Sequence, residues 1–139
     1  PGDQIIRWNV PGSFEWIYGS KKMLQTQNVD AVIAIGCVIQ GQTKHFDFVC
    51  EGVTQGIKDL NVQTDIPVIF CVLTDNTMQQ SIDRSGGIHG NKGTEAAIAA
   101  IKMAFIRQQA SLSHQIDNQH LLSSGPLQIE EGGPLELKE

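Results

Sequence analysis

Three short segments of the 139-residue chain combine residue types able to hold an anion and to move a proton. In Gly41-Gln42-Thr43-Lys44-His45, a glycine turn, a hydroxyl and an imidazole follow one another closely. Backbone N–H groups at such a turn, at the start of a helix, suit phosphate or a similar anion, although many such turns hold only water. His45 falls in the first helical turn. There the helix dipole works against an imidazolium and leaves a proton-accepting ring. That state serves carbonyl chemistry, in which protons are taken up and returned in successive steps; a histidine so placed is also often a cap or a surface residue. Arg84, ahead of Ser85-Gly86-Gly87, has the fork geometry to clasp phosphate oxygens, with solvation or pairing with Asp83 as the plainer reading. Lys92 opens a helix against the dipole preference, a mild hint of function. Glu15, in Gly12-Ser13-Phe14-Glu15, is suited to accept from a ring N–H or to cap its own helix. His89, His114 and His120 lack carboxylate or cysteine partners at ligand spacing, so no metal is expected.

The surrounding pattern predicts what carries these residues. Ile5–Val10 reads as a short strand, broken by Pro11-Gly12-Ser13. A helical stretch follows with Phe14, Ile17, Tyr18 and Leu24 on one face, ended by Asn28-Val29-Asp30. The run 31–39 is continuously apolar and β-branched, as in a parallel strand buried on both faces. Helical spacing joins Phe46, Val49, Cys50, Val53, Ile57 and Leu60. A second buried strand spans 66–73, with Pro67 tolerable at its start. A short helix around Met78 and Ile82 precedes a last helix opened by Asn91-Lys92-Gly93, with a stripe of Ala97, Ala100, Ile101, Ala104 and Phe105. Strand–helix alternation predicts an α/β fold with a parallel sheet. In such sheets ligands bind beyond the carboxyl ends of the strands. Segments 12–15, 36–45 and 73–76 all fall at such ends and form one candidate site.

Composition bounds the rest. The length suits one domain, able to bury roughly two-thirds of its unfolded surface. Apolar residues make up 40% and charged ones 18%, as in a globular protein. No apolar run approaches the ~20 residues of a membrane span. With 10 basic and 15 acidic residues, no nucleic-acid partner is expected. Residues 1–110 hold 9 basic, 10 acidic and all eight aromatic residues; residues 111–139 hold 1 basic and 5 acidic. The expected organisation is a domain over 1–110 and an acidic, mobile tail over 111–139, in which 125–131 and 133–139 echo each other. Cys37, Cys50 and Cys71 lie in apolar segments without a CxxC pair. Buried free thiols in a reducing, cytoplasmic compartment are the simple expectation.

Several blocks together resemble the lumazine synthase family. Val10-Pro11-Gly12-Ser13-Phe14-Glu15 resembles its V-P-G-[SA]-[FW]-E signature. Ile35 to Asp47 is similar to its G-x-V-I-[RK]-G-x-T-x-H-[FY]-[DE] segment. Pro67-Val68-Ile69-Phe70, Leu73-Thr74, Arg84-Ser85-Gly86 and Gly90-Asn91-Lys92-Gly93 follow in order and spacing, so the likeness covers about 5–110. It implies a flavodoxin-like three-layer α/β/α sandwich with a mainly parallel sheet. It also implies condensation of 5-amino-6-(D-ribitylamino)uracil with 3,4-dihydroxy-2-butanone 4-phosphate to 6,7-dimethyl-8-ribityllumazine, the precursor of riboflavin, without metal or organic cofactor.

Residue by residue, the resemblance assigns pyrimidine and ribityl contacts to Ser13, Phe14, Glu15, Cys37, Val38 and Ile39. Phosphate contacts fall on Gln42, Thr43 and Arg84, proton transfer on His45, and Lys92 near the phosphate. Phe70 and Arg84 are supplied by a neighbouring subunit, so the resemblance implies a homo-oligomer of pentamers, decamers or icosahedral shells, with riboflavin synthase as a partner. Gln40, Lys44 and Trp16-Ile17 depart from common family residues. The family's first strand and helix, ahead of the V-P-G block, have no counterpart here. That strand lies inside the sheet, so the expectation is of an incomplete sequence with unpaired interior edges. Two other readings are a non-catalytic shell or scaffold subunit of the same fold, and a flavodoxin-type flavin or nucleotide module, for which no phosphate-loop pattern is present.

Overall fold

A computed structural model describes residues 4–123 of the chain. Their elements run α1 (Trp16–Thr26), β1 (Val32–Ile39), α2 (His45–Gln63), β2 (Val68–Asp75), α3 (Met78–Asp83), β3 (Ser85–Gly87), β4 (Gly90–Asn91) and α4 (Lys92–Ser123). Two compact units divide the chain, Pro1–Gln108 and Gln109–Glu139. Of the second, the described part is the end of α4, which runs past the point near Ser111 where the sequence loses its periodicity. The 125–139 echo and most of the acidic tail lie outside the described residues.

β1 and β2 pair in parallel over their whole length, from Val32 opposite Val68 to Ile39 opposite Asp75. Side-chain alternation gives the pair two faces. On one, Val32, Ala34, Val68 and Val72 meet Val53, Ile57 and Leu60 of α2, with Trp16, Met23 and Leu24 of α1 packed against them. Burying each such Val or Leu side chain contributes about 1.5–3 kcal/mol. On the other, Cys71 and Leu73 are buried, and the Cys71 thiol donates to the Lys92 carbonyl at the start of α4 (3.7 Å). Helices thus flank β2 on both faces, in the α/β layering expected from the alternation of elements.

Four expectations need correction. Residues 5–10 form no strand; Ile5, Ile6 and Trp8 are largely exposed, and no third strand joins β1 and β2 among the described residues. An apolar run becomes a strand only where an edge receives its hydrogen bonds. β1 is covered on one face only: Val32 and Ala34 are buried, whereas Ile35 is 65% exposed. In α1, Tyr18 points outward, with the Lys22 ammonium 5.5 Å from its ring centre. In α4 the buried residues are Ala96 and Ala100, while Ala97, Ile101 and Phe105 are exposed.

The ladder is closed at its start by a side chain. The Asn61 amide nitrogen donates to the Val68 carbonyl (2.8 Å) and to the Ile57 carbonyl (2.9 Å), and its oxygen accepts from Val68 N–H (2.9 Å). Asn61 therefore pairs with the outer edge of β2 as a strand residue would. Asn61→Ala leaves both Val68 groups without this partner and is expected to cost about 1–2 kcal/mol, read from the midpoint of urea unfolding at unchanged slope.

Candidate active site

The carboxyl ends of β1 and β2 gather most of the chemically capable residues. Cys37, Val38 and Ile39 close β1, Gln42 and Thr43 form the exposed turn after it, and His45 is the first residue of α2. The Thr43 hydroxyl accepts from His45 N–H (3.4 Å). Lys44, the N-cap of α2, makes no side-chain cap bond, and its carbonyl accepts from Asp47 and Phe48 N–H. The N–H groups of His45, Asp47 and Phe48 are therefore already paired locally, and an anion at this helix start would exchange those bonds for its own.

Segment 12–15 and the start of α1 lie against β1 and α2 through glycine contacts. A Cβ built on Gly36 would lie 1.6 Å from Trp16 Cζ2, so the indole rests directly on β1 one residue before Cys37. A Cβ on Gly52 would lie 2.7 Å from Phe14, which leans on α2. Glu15 is the N-cap of α1, but its side chain makes no cap hydrogen bond. Its carboxylate folds back over Gly12, where a built Cβ would lie 2.8 Å from Oε2.

A second group stands at the far end of α3. Arg84 caps that helix, and its carbonyl accepts from Lys92 N–H (2.8 Å). Between them, β3 and β4 form a tight antiparallel hairpin whose Gly86 (φ 112°) and Gly90 (φ 80°) occupy left-handed backbone regions that favour glycine. Among the described residues Arg84 makes no ion pair with Asp83; the Asp83 carboxylate instead accepts from Gln79 (2.9 Å). Lys92 pairs with Glu95 (2.9 Å). That hydrogen bond, with the Lys92 charge, holds the Glu95 carboxyl below the usual range, and Arg84 adds to the effect. Phe70 belongs to neither group. It sits in the middle of β2 opposite Ala34, against the core.

The two groups meet through Ser81, to which the sequence reading gave no role, together with Cys37 and with Asp75 of segment 73–76. Ser81, buried on α3, donates to the Asp75 carboxylate (2.8 Å) and lies 3.0 Å from the Cys37 thiol. Beside them is an open cavity of about 600 Å³ lined by Cys37, Ile39, Leu73, Ser81, Ile82 and Gly86. A serine between the apolar Met78 and Ile82 was the one available signal. The cysteines also depart from the expectation of uniform burial: Cys71 is buried, Cys50 partly so and Cys37 exposed. Burial pushes the Cys71 and Cys50 thiols up, with the Asp47 charge adding to the effect at Cys50. No group of three His, Cys, Asp or Glu side chains placed to hold a metal occurs among the described residues.

Residues 1–108 match the family of 6,7-dimethyl-8-ribityllumazine synthase. Proteins of that name from Flavobacterium johnsoniae, Flavobacterium psychrophilum and Christiangramia forsetii are similar to the chain. Their identities are 88% over 131 residues, 73% over 136 and 75% over 109. The matches cover 94%, 97% and 78% of the chain, and 68%, 70% and 65% of the respective relatives.

The Trp16–Gly36 contact predicts a paired effect. Gly36→Ala alone forces the indole off β1 and is expected to lower stability by about 1–3 kcal/mol. Combined with Trp16→Ile, most of that loss is expected to return. Urea unfolding of the parent, both single variants and the double variant checks the non-additivity.

Proposed function

We propose, on the premise that the chain belongs to the 6,7-dimethyl-8-ribityllumazine synthase family, that it condenses 5-amino-6-(D-ribitylamino)uracil with 3,4-dihydroxy-2-butanone 4-phosphate to 6,7-dimethyl-8-ribityllumazine, releasing phosphate and water. The observation behind this reading is that the Gly41–His45 turn leaves the carboxyl end of β1 while the chain after Pro11 packs on the two elements it joins, Trp16 on β1 at Gly36 and Phe14 on α2 at Gly52. The arylamine and the ketone carry their own reactivity, so the protein's task is to align them and to manage protons, with no cofactor.

In this reading Ser13, Phe14, Glu15, Cys37, Val38 and Ile39 receive the pyrimidine and its ribityl chain. Gln42 and Thr43 hold the phosphate through the turn's N–H groups. His45 exchanges protons as the imine forms and the phosphate leaves. Arg84 and Lys92 supply positive charge to the phosphate. The central position of Phe70 in β2, away from the strand's carboxyl end, favours its acting in a neighbouring subunit's site, with Arg84 doing the same. That arrangement requires a homo-oligomer, of pentamers or their multiples, and residues 1–110 are its functional domain, with 111–139 an accessory acidic tail. No helix of the described residues is long and apolar enough to cross a membrane. The cytoplasm is the compartment this chemistry fits, and riboflavin synthase the partner that consumes the product.

The test is turnover of the two substrates, followed by lumazine absorbance, with oligomer mass measured on the same sample. His45→Ala is expected to lower kcat by about 10²–10⁴-fold with assembly intact. Collapse of the assembly would make His45 structural. Arg84→Ala is expected to raise KM for the phosphate substrate about 10–100-fold, as loss of a charge-assisted pair would. An unchanged KM for that substrate removes Arg84 from the site.

A further inference from the structure

α3 has six residues, too few to hold its shape alone, and apolar burial does little to fix it. Met78 is 61% and Ile82 53% exposed, and the one buried residue of the helix is Ser81. A buried hydroxyl is costly unless it is hydrogen-bonded, so the partners of Ser81 matter. As a carboxylate, Asp75 can only accept, and a hydroxyl has a single hydrogen to give. The Ser81 hydrogen goes to Asp75 Oδ2 (2.8 Å), which leaves Ser81 Oγ as acceptor for the Cys37 thiol hydrogen (3.0 Å). The chain therefore has one direction, Cys37 to Ser81 to Asp75, and joins the ends of β1, α3 and β2.

Asp75 also reaches the anion turn. It stands opposite Ile39, and its carbonyl accepts from Gln40 N–H (2.9 Å), the residue before Gly41. At the other end of α3, the Ser85 hydroxyl donates to the Ser81 carbonyl (2.7 Å), and the Arg84 carbonyl takes Lys92 N–H. One residue thus holds the turn by its main chain and, by its side chain, the helix that ends in Arg84.

We propose that Asp75 and Ser81 are positioning residues for phosphate binding: their hydrogen-bond chain with Cys37 fixes α3, and with it Arg84, against the carboxyl ends of β1 and β2. The inference rests on the reading of Arg84 as a phosphate ligand. Neither Asp75 nor Ser81 touches substrate in it.

The experiment compares the assembled parent with Ser81→Ala, Asp75→Ala, Asp75→Asn, Arg84→Ala and the Ser81→Ala/Arg84→Ala double variant. Steady-state kinetics are run in both substrates, and the same proteins are titrated with inorganic phosphate, so that the comparison does not depend on turnover. Ser81→Ala and Asp75→Ala are expected to raise KM for the butanone phosphate, and Kd for phosphate, about five-fold, with kcat and KM for the pyrimidine nearly unchanged. Asp75→Asn keeps an acceptor oxygen for Ser81 and is expected to stay near the parent. The double variant is expected to be no weaker than Arg84→Ala alone, because the chain acts through that residue. Multiplying effects, or an equal change in both KM values and kcat, overturn the proposal while leaving Arg84 in the site. An unchanged phosphate response in Arg84→Ala, or a parent that neither turns over nor binds phosphate, overturns the proposal together with the reading beneath it.

Discussion

Asp75 stands opposite Ile39 at the last rung of the β1–β2 ladder, and the chemistry is arranged around that rung. A parallel pair ends all its strands on one side, so the loops that leave β1 and β2 open at the same mouth. The register decides which residues arrive there together. With Val32 opposite Val68, the anion turn after Ile39 and the helix after Asp75 leave the ladder at one level. A slip of one residue would turn the core face of a strand outward and part the Gln40–Asp75 bond that seats the turn. The Asn61 amide, bonded to both main-chain groups of Val68, works at the opposite end of the same ladder and helps hold that register.

The two halves of the site are attached to this frame by different physics. Segment 12–15 is held by close packing: Trp16 fills the space a side chain at Gly36 would need, and Phe14 does the same at Gly52. Such contacts are tolerant of direction but not of volume, since any added carbon must displace a ring. Arg84 and Lys92 are held by hydrogen bonds along α3 and the β3–β4 hairpin, which are tolerant of volume but not of direction. Close packing gives a shaped surface and directed hydrogen bonds give placed charge, so the pyrimidine and phosphate contacts proposed above would each rest on the attachment suited to them.

Much of this was readable in the chain because it depends on local pattern. The apolar runs gave β1 and β2, helical spacing gave α2, and the breaks at Pro11-Gly12-Ser13 and Gly41-Gln42-Thr43 marked the mouth. Where the reading failed, the deciding partner was distant. Ile5–Val10 has strand composition but meets no edge. α4 carries alanines at 96, 97, 99, 100 and 104, and spacing alone cannot decide which of so many small residues faces the sheet; the closer approach falls on Ala96 and Ala100. Burial of β1 on both faces was inferred from its composition, yet composition reports what a strand can bury and not what covers it. Nothing in the sequence beyond its place between Met78 and Ile82 marks Ser81, because a polar residue on a short helix ordinarily faces water. Its carboxylate and thiol partners lie 6 and 44 positions away.

The same comparison explains why charge sits where it does on α3 and α4. A helix start is a poor place for a cation, and Lys92 stands there with its ammonium bonded to Glu95 one turn on. The carboxylate offsets the dipole penalty and ties the Lys92 head to the first turn of α4, while the Arg84 carbonyl holds the Lys92 N–H. That main-chain bond joins the end of α3 to the start of α4, and the Lys92 and Arg84 charges both help hold the Glu95 carboxyl low.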